Sequence, residues 1–503
     1  MSTTLAPRPY ESYVYAYPHK TAYRPLEDRP ALRGLWAGER KDALSLYLHI
    51  PFCEVRCGFC NLFTRIGAPD ELTTRYLDAL DRQATAVRDA LGDSGPDSVR
   101  FAAAAFGGGT PTYLDADELD RLCDIAEKRM GADLRTVPLS VETSPATATA
   151  DRLTVLAERG ATRLSIGVQS FVDAEAKAAV RPQRRAEVEA ALGRVRDARI
   201  PVLNIDLIYG IDGQTDASWR HSLDAALAWR PEELYLYPLY VRPLTGLGRP
   251  GPVRSIFADQ PAASGAVHRK AEDRPRTGRT WATPTTRRGA VPGVAGPRRS
   301  AGQDLGSGGD SAWDEQRLRL YRQGRDHLLA HGYEQLSMRM FRRQDIPFQD
   351  AGADDYACQT DGMIGLGCGA RSYTSALHYS FDYAVDMREI RAIIDTYTAT
   401  EDFSRAEVGR RIDGDEARRR HLLQSLLQAR GMVEADYRER FGSGAAEDFP
   451  AELARFAALG WLDESAPTGL LRLSPEGLAY SDALGPALFS PAVRASMAAY
   501  ERK

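Results

Sequence analysis

The sequence predicts an α/β fold, namely a partial (β/α)6-type barrel followed by a mostly helical, winged-helix-like accessory domain. The first observation is that six apolar, strand-like runs alternate with segments of helical period between residue 45 and about residue 241. The second is that these runs read as apolar on both faces, which is typical of parallel strands covered by helices. Six such units favour a β/α barrel, whose chemistry lies at the carboxyl ends of its strands.

The elements of this pattern follow one another along the chain. The predicted strands are SLYLHI (45–50), VRFAAAAF (99–106), PLSVE (138–142), RLSIGVQ (163–169), PVLNIDL (201–207) and ELYLYPLY (233–240). The predicted helices begin with a segment whose apolar face carries Leu72, Tyr76, Leu80, Ala84 and Val87, and continue over 115–130, 148–159, 184–198 and 214–229. A helix at 313–331, a strand at 333–341 and the glycine-rich run DGMIGLGCGARSY (361–373) are predicted next.

Changes in composition divide the chain into five segments. These are an N-terminal extension (1–44), the barrel (45–245), a Gly-, Pro- and Arg-rich insertion (246–312), a segment that completes the barrel and the substrate region (313–395), and the accessory domain (396–503). The insertion has few large apolar residues and no period, so we expect it to be disordered. It is either a flexible insertion or a segment translated in the wrong frame, and its abrupt edges favour the second interpretation.

Composition and charge argue against several classes of protein. The chain has 503 residues and a net charge of −4, so we expect neither nucleic acid nor an anionic membrane surface as a partner. No apolar run approaches the roughly 18 residues that span a bilayer. The N-terminus MSTTLAPRPYESY lacks the apolar region of a signal peptide, so we expect a cytoplasmic protein with reduced thiols. The accessory domain has no concentrated basic face beyond Arg418, Arg419 and Arg420, which favours a packing or lid role over DNA binding.

Three of the six cysteines lie in one short loop after the first predicted strand. The segment YLHIPFCEVRCGFC places Cys53, Cys57 and Cys60 at the spacing C-x3-C-x2-C. Three thiolates can bind three irons of a 4Fe–4S cubane and leave the fourth iron without a protein ligand. That open iron can chelate the amino and carboxylate groups of S-adenosylmethionine (SAM) and deliver an electron to its sulfonium. The alternative is a zinc site, which needs a fourth Cys or His nearby; the next cysteine, Cys123, is expected to be an inert core residue.

Glycines and polar residues stand where the other predicted strands end. The run FGGGTPTYL (106–114) follows the second strand and brings bare backbone to this edge. Glu142 ends the third strand, Gln169 the fourth and Asp206 the fifth, and Arg181 lies soon after the fourth. Each of these residues alone could be a cap or a salt-bridge partner. Because together they surround one barrel mouth, we expect them to hold SAM.

The motifs YLHIPFC, GGGTPTYL, SIGVQSF and NIDLIYG carry a resemblance to a known family. From Tyr47 to about Arg371 the chain resembles the radical SAM family of oxygen-independent coproporphyrinogen III oxidase, which also contains heme chaperones and class C radical methylases. The resemblance implies a 4Fe–4S cluster on the three loop cysteines, one or two SAM molecules, and an electron donor such as flavodoxin or ferredoxin. It implies contacts to the first SAM from Tyr47, Gly108, Glu142 and the backbone of Phe59. It implies contacts to a second SAM from Gly109 and Thr110, with Gln169, Arg181 and Asp206 lining the space between the two SAM molecules. It also implies a backbone contact to SAM from Tyr240. Of these, Gln169 and Asp206 are also candidate catalytic residues.

The sequence departs from the oxidase at three places. Leu62 occupies the position two residues past the third loop cysteine, where the oxidase has a fourth cysteine. Arg371 occupies a position near the second SAM at which the oxidase has an apolar residue. The N-terminal segment YVYAYPHKTAYRPL, which contains His19, could close over the barrel mouth as a lid or pack on the barrel.

Three functions remain open at this stage. The first is a radical SAM enzyme whose adenosyl radical takes hydrogen from a small organic substrate or from a second SAM, the latter route leading to methylation or cyclopropanation. The second is the oxidase itself, which converts propionates of coproporphyrinogen III to vinyl groups. The third is a heme chaperone, for which eight scattered histidines offer no evident pair of axial ligands. The departures from the oxidase favour the first function.

Overall fold

A computed structural model describes residues 8–14, 16–92, 99–248, 311–346 and 362–500 of the chain. Its strands are β1 (Arg24–Pro25), β2 (Leu44–Ile50), β3 (Phe52–Cys53), β4 (Arg65–Ile66), β5 (Phe101–Gly108), β6 (Leu139–Thr143), β7 (Ala161–Gln169), β8 (Val202–Tyr209), β9 (Glu233–Pro238), β10 (Tyr333–Gln335), β11 (Met340–Arg343), β12 (Met363–Leu366), β13 (Arg371–Tyr373), β14 (Leu377–Ser380), β15 (Val408–Arg411), β16 (Met432–Val433) and β17 (Leu470–Leu471). The six predicted strands correspond to β2 and β5 to β9. The predicted α/β fold is therefore confirmed.

Most strands join one large mixed sheet. Its order is β1-β15-β14-β13-β12-β2-β5-β6-β7-β8-β9-β11-β10. The seven neighbours from β12 to β9 all run parallel. In the described ranges β1 and β10 remain the two outer strands, so the sheet is open, as a partial barrel requires. Parallel strands end at the same edge, and this edge brings the predicted site residues together.

Helices cover one face of the parallel strands. They are α1 (Leu32–Trp36), α2 (Asp70–Leu91), α3 (Ala116–Asp124, continued by a π-helical turn over Ile125–Arg129), α4 (Ala150–Glu158), α5 (Asp173–Ala178), α6 (Arg185–Asp197), α7 (Asp216–Leu227) and α8 (Ser311–Ala330). The predicted helices are all present, and the short α5 is an addition. Cys123 is fully buried within α3, as expected, and burial raises the pKa of its thiol to about 12.

The expectation that the strands are apolar on both faces is wrong. Side chains alternate between the two faces of a strand, and on β2 Leu46 and Leu48 are buried in the core that the helices cover, while Tyr47 and His49 lie on the opposite face. The same alternation holds on β6 to β9, whose face away from the helices carries polar side chains, whereas that face of β5 and β12 carries small or apolar residues. Tyrosine counts as apolar in a hydropathy reading, which concealed the alternation. The polar face is the one available for chemistry.

Two elements after α8 differ from the prediction. The segment 333–341 is not a single strand, because β10 and β11 form an antiparallel hairpin beside β9. The glycine-rich run contributes β12, a seventh parallel strand that pairs with β2. A Cβ at Gly365 would overlap the main chain of Arg371 on the next strand, so glycine permits the close approach. The same glycines hide the strand from a hydropathy pattern.

The C-terminal part of the chain builds a second hydrophobic core. Its helices span Gly414–Leu426, Glu434–Phe441, Ala445–Asp448, Pro450–Ala458, Pro475–Ala479, Ser481–Ala487 and Pro491–Ala498, and β16 and β17 pair beside them. Tyr17 of the N-terminal segment belongs to this second core. The helix Met387–Ala399 packs on α2 instead and contributes to the first core. The N-terminal segment thus packs between the sheet and the C-terminal helices.

Several sequence expectations fall where the structure gives no description. Most of the predicted insertion, residues 249–310, and Cys358 lie outside the described residues. The division into five segments remains a prediction. Within the described ranges, none of the helices combines the length and apolar character that crossing a bilayer requires.

Candidate functional site

The cysteine loop begins where β2 ends and is attached at its base to two neighbouring elements. Cys53 closes β3, which pairs with β4 on the far side of the loop. The main-chain N–H groups of Gly109 and Thr110 donate to the carbonyls of Ile50 and Phe52, each at 2.8 Å. These hydrogen bonds continue the pairing of β2 with β5 beyond the strands. They fix the loop at the carboxyl edge of the sheet.

The middle of the loop is held at Gly58. Its N–H donates to the carbonyl of Ala179 at 3.0 Å, and its own carbonyl accepts from the N–H of Leu247 at 2.8 Å. A Cβ at Gly58 would lie 2.8 Å from the side chain of Val180 and 2.9 Å from that of Leu247. No space exists for a side chain, because the loop backbone lies directly on the segments that follow α5 and β9. Gly58 is therefore a docking point that the cysteine spacing alone does not reveal.

Two thiols of the loop are shielded and have hydroxyl neighbours. The Thr110 hydroxyl lies 3.3 Å from Cys53 Sγ, and the Thr64 hydroxyl lies 3.8 Å from Cys60 Sγ. Burial raises the pKa of both thiols, and negative charge on the other loop cysteines, including Cys57, raises it further. The three sulfur atoms are thus close enough to influence one another's ionisation.

Cys57 is partly exposed and contacts a cation. Arg181 donates from its guanidinium to Cys57 Sγ at 3.0 Å. The same guanidinium donates to the carbonyl of Gly167 and, at 2.6 Å, to the side-chain oxygen of Gln183. Arg181, predicted to line the SAM site, therefore also contacts a loop cysteine.

The donor set suits an iron–sulfur cluster. No three His, Cys, Asp or Glu side chains in the described part of the chain converge closely enough to share a single metal ion. A cubane makes a different demand, because each cysteine binds its own iron. Three thiols from one loop, close to one another but not converging on one point, fit that demand.

The glycine run packs against the start of the loop. Gly108 has a φ of +111°, and a Cβ there would lie 2.5 Å from the imidazole ring of His49. A Cβ at Gly109 would lie 2.6 Å from the carbonyl oxygen of Phe52. The N–H of Gly108 donates to Glu142 Oε2 at 3.1 Å. The glycines therefore bring main chain, without side chains, to the edge where Glu142 lies.

Two carboxyl groups occupy the polar face of the sheet. Desolvation by the surrounding protein raises the pKa of the Glu142 carboxyl to about 7, and the hydrogen bond from the N–H of Gly108 opposes this effect. Part of the side chain remains accessible to solvent. Burial raises the pKa of Asp206 to about 6, against the opposing effect of hydrogen bonds from Asn204 at 2.7 Å and Ser165 at 3.3 Å. The pKa values of both carboxyl groups are thus raised toward neutral pH. A nearby cation would draw Glu142 into its charged form.

Gln169 is strained and has an unsatisfied buried atom. Its φ is +70°, a conformation that is uncommon for a residue other than glycine, and the register with β8 shifts beside it. Its side-chain oxygen is buried and accepts no hydrogen bond from the described residues. Such an atom costs about 1–3 kcal/mol, and strain of this kind concentrates at functional sites. The arrangement points to a ligand that donates a hydrogen bond at the end of β7.

Three other predicted SAM contacts have side chains engaged in packing. The Tyr47 hydroxyl lies 3.2 Å from Nδ1 of His49. Phe59 packs on a small apolar cluster formed after β7, β8 and β9. Tyr240 donates to Asp482 of the C-terminal unit at 2.6 Å. For Phe59 and Tyr240 the main chain is therefore the part left to approach SAM, and those contacts remain predictions.

His49 was not predicted to be a site residue, yet it lies at the centre of the glycine contacts. Its Nε2 lies 3.2 Å from the carbonyl oxygen of Phe63, and its ring lies between Gly108 and Gly369, where an added Cβ would be 2.7 Å away. Chiefly because of burial, the pKa of His49 falls to about 4, so the ring is neutral near pH 7. The alternation along β2, which places His49 on the same face as Tyr47, is the signal that could have found it.

Comparison with known proteins identifies the central domain. Residues 47–226 match the model of the radical SAM superfamily. The chain is 31% identical over 201 residues to the heme chaperone HemW of Bacillus subtilis, covering 40% of this chain and 52% of that protein. It is 34% identical over 229 residues to the oxygen-independent coproporphyrinogen III oxidase of Paracoccus denitrificans, covering 44% of this chain and 48% of that protein. The chain thus spans about half the length of the curated relatives it matches.

The fold is shared more widely than the sequence. The structure of coproporphyrinogen III oxidase (HemN) from Escherichia coli superposes with a TM-score of 0.70 and covers 95% of this chain and 96% of that one. The sequence identity in this superposition is 21%, so the likeness shows the fold. The radical SAM superfamily implies a 4Fe–4S cluster and SAM, and the three loop thiols described above are suited to hold the cluster.

The docking of the loop at Gly58 generates the first prediction. Gly58→Val should displace the loop from Val180 and Leu247, so the purified, anaerobically reconstituted variant should lose most of its iron and acid-labile sulfide. Gly193→Ala is the matched control, because Gly193 lies within α6 with no atom within 4 Å of an added Cβ. Circular dichroism should show both variants folded. Full iron content in Gly58→Val would mean that this docking is not needed for the cluster.

Proposed function

Because residues 47–226 belong to the radical SAM superfamily, we propose that this protein is an enzyme that reductively cleaves SAM and removes a hydrogen atom from a small organic molecule. The observation that carries the proposal is the convergence of three loop thiols, a bare glycine backbone and two carboxyl groups at one edge of the sheet. The bound cluster supplies one electron, which cleaves SAM to methionine and a 5′-deoxyadenosyl radical. An external one-electron donor such as flavodoxin or ferredoxin would supply that electron.

Cys53, Cys57 and Cys60 are the proposed iron ligands. The shielded sulfurs of Cys53 and Cys60 would lose their protons when iron binds, because metal binding offsets their raised thiol pKa. Arg181 would orient the Cys57 sulfur through the 3.0 Å hydrogen bond. Thr110 would orient Cys53 through its hydroxyl, which lies 3.3 Å from the cysteine sulfur.

The groups on the polar face are the proposed SAM ligands. Glu142, held by the N–H of Gly108, would accept hydrogen bonds from the SAM ammonium group or the ribose hydroxyls. The unsatisfied oxygen of Gln169 would accept a further hydrogen bond from SAM or from the substrate. Asp206, oriented by Asn204, would do the same beside it. Both carboxyl groups sit where a cationic ligand would be favoured.

The proposal of a second SAM rests on Gly109, Gln169 and Asp206, with less support from Thr110 than the resemblance implies. The Thr110 side chain is 7% exposed, and its hydroxyl faces Cys53. A bulky substitution at Thr110 would therefore disturb a loop cysteine as well as any second SAM. A test of the second SAM is better made with labelled SAM than with a Thr110 variant.

The oxidase and chaperone functions of the relatives have weaker support in this chain. Leu62, at the position of the oxidase's fourth cysteine, is 47% exposed. Among the histidines that the structure describes, His378 shares a 2.8 Å hydrogen bond with Arg420 and His327 a 2.7 Å one with Asp224, so neither is poised as a heme ligand. We therefore keep hydrogen abstraction from a small molecule as the proposed function.

The proposed cluster ligation predicts the effect of removing one cysteine. Cys57→Ala removes an iron ligand without leaving a buried cavity, because Cys57 is partly exposed. The reconstituted variant should lose the broad visible absorption of the cluster and form 5′-deoxyadenosine at least about a hundredfold more slowly, since mutation of even an outer-shell partner of a metal site typically costs about 10–100-fold. Cys123→Ala, in the buried core of α3, is the matched control and should retain both. Formation of 5′-deoxyadenosine by Cys57→Ala at the wild-type rate would refute the proposal.

The raised pKa of Glu142 predicts a pH-dependent affinity for SAM. A raised carboxyl pKa means that Glu142 is neutral below about pH 7 and charged above it, so SAM affinity should increase as pH rises through 7. Below the inflection, the dissociation constant should change about tenfold per pH unit if one proton is coupled. Equilibrium dialysis of SAM between pH 5.5 and 8.5 would measure this. Glu142→Gln should bind SAM weakly at all pH values and lose the inflection; an unchanged inflection would assign it to another group.

The second SAM predicts a transfer of label. SAM that carries a deuterated methyl group should place deuterium in 5′-deoxyadenosine, because the adenosyl radical would take hydrogen from the methyl group of a neighbouring SAM. Mass spectrometry of 5′-deoxyadenosine under full turnover is the measurement, and unlabelled SAM is its control. Absence of deuterium, with the true substrate present, would leave direct abstraction from that substrate as the reaction.

A further inference from the structure

Asp482 of the C-terminal unit is buried against the end of β9. Its side chain is 1% exposed and belongs to the helix Ser481–Ala487. Oδ2 of Asp482 accepts hydrogen bonds from the Tyr240 hydroxyl at 2.6 Å and from the guanidinium of Arg339. Oδ1 has no hydrogen-bond partner among the described residues, so Oδ2 makes both contacts. A buried carboxyl group is costly unless it is hydrogen-bonded, and here both donors come from segments attached to the large sheet.

The two donors to Asp482 are both tied to β9. Arg339 lies just before β11, and its carbonyl accepts from the N–H of Leu236 at 2.9 Å. Tyr240 follows the last residue of β9 by two positions. Burial raises the pKa of the Tyr240 hydroxyl well above its usual value, and the charge of Asp482 raises it further, so this hydroxyl remains a donor. Asp482 therefore joins the C-terminal unit to the carboxyl end of β9.

The post-β9 segment (residues 239–248) lies on the cysteine loop. The N–H of Leu247 donates to the carbonyl of Gly58 at 2.8 Å. Phe59 of the loop and Leu247 pack against the small apolar cluster that contains Leu239. The loop and the post-β9 segment are thus in contact through both main chain and side chains.

A closed turn connects Tyr240 to Leu247 within the post-β9 segment. The Thr245 side chain is fully buried, and its hydroxyl donates to the carbonyl of Arg242 at 2.6 Å. The N–H of Gly248 donates to the carbonyl of Thr245 at 3.2 Å. Contiguous hydrogen bonds and packed side chains of this kind can carry energetic coupling between sites. The position of Leu247 therefore depends on the position of Tyr240.

We propose that Asp482 is a positioning residue, which holds Tyr240 so that the post-β9 segment keeps the cysteine loop in place and presents the main chain of Tyr240 to SAM. The inference rests on the proposed function, because it gives the C-terminal unit a part in SAM binding. Asp482 would act through Tyr240, without a contact to SAM of its own. A change at Asp482 would then alter the site without removing any group that touches SAM.

The first test is hydrogen–deuterium exchange of the cluster-loaded Tyr240→Phe variant, which loses one hydroxyl and keeps its ring. Peptides that contain the amides of Leu247 and Gly58 should exchange about tenfold faster than in wild type, because a hydrogen bond to a charged group is worth about that factor. Tyr333→Phe is the matched control, because the Tyr333 hydroxyl also donates a 2.6 Å hydrogen bond, to the carbonyl of Pro231 ahead of β9. It should leave the exchange of both peptides unchanged. Wild-type exchange rates in Tyr240→Phe would overturn the inference.

The second test compares two substitutions of Asp482 by equilibrium dialysis of SAM. Both Asp482→Asn and Asp482→Ala remove the charge beside Arg339, but the asparagine keeps an oxygen that can accept from Tyr240. Asp482→Ala should bind SAM about tenfold more weakly than wild type, and Asp482→Asn should recover part of that loss. Because loss of a buried charge partner may prevent folding, Tyr240→Phe is measured alongside and should also lose about tenfold in affinity. Wild-type affinity in Tyr240→Phe, or equal losses in the two Asp482 variants, would overturn the positioning role.

The exchange measurement is made without SAM, so it separates this inference from the proposed function. Formation of 5′-deoxyadenosine is measured on the same preparations. Wild-type protein that cleaves SAM, together with unchanged exchange in Tyr240→Phe, would overturn this inference alone. Wild-type protein that forms no 5′-deoxyadenosine, while Tyr240→Phe loosens the loop, would overturn the proposed function instead.

Discussion

The site depends on the parallel direction of seven neighbouring strands. In a parallel sheet all carboxyl ends meet at one edge, so residues far apart in the sequence approach one another there. This constraint brings Cys53 after β2, the glycines after β5, Glu142 on β6 and Asp206 on β8 to a common region. Helices on one face bury the apolar side chains of the strands, and this leaves the other face free to carry carboxyl and amide groups.

His49 connects the parts of this region. Its ring is 5% exposed and lies between Gly108 of the glycine run and Gly369 of the turn between β12 and β13. A charged imidazole would be costly in this buried position beside Arg371 and Lys20, which agrees with its low pKa. The neutral ring thus fills the space between the two glycine-containing segments. The two glycines are needed because any side chain would collide with it.

Much of the fold followed from the sequence, and the reasons for the failures are physical. The six strands from β2 to β9 in the parallel sheet and the helices between them have strong, regular apolar patterns, so their positions were predicted closely. The seventh parallel strand, β12, was missed because glycine weakens its hydropathy pattern. Position 365 requires glycine, since the main chain of Arg371 leaves no room for a side chain there. The segment 333–341 was predicted as one strand because both strands of its hairpin are apolar in part, and no glycine or proline marks the turn between them.

The candidate site was likewise predicted in part. The cysteine spacing and the motifs at the strand ends supported the cofactor prediction, because each of them lies within a short stretch of the sequence. Gly58 and His49 were not identified as site residues, since their roles arise from contacts with Val180 and Gly369, which are distant in the sequence. Tertiary contacts of this kind leave no periodic signal.

The central proposal is that the three loop cysteines would hold a 4Fe–4S cluster and would leave one iron for SAM to bind. Electron–nuclear double resonance of the reduced, cluster-loaded protein with SAM labelled by ¹⁵N at its amino group tests this claim most directly. The account predicts a hyperfine coupling between the cluster spin and the ¹⁵N nucleus, which should be lost in Cys57→Ala together with the cluster signal. A reduced 4Fe–4S signal that SAM leaves unchanged, with no ¹⁵N coupling at saturating SAM, would contradict it.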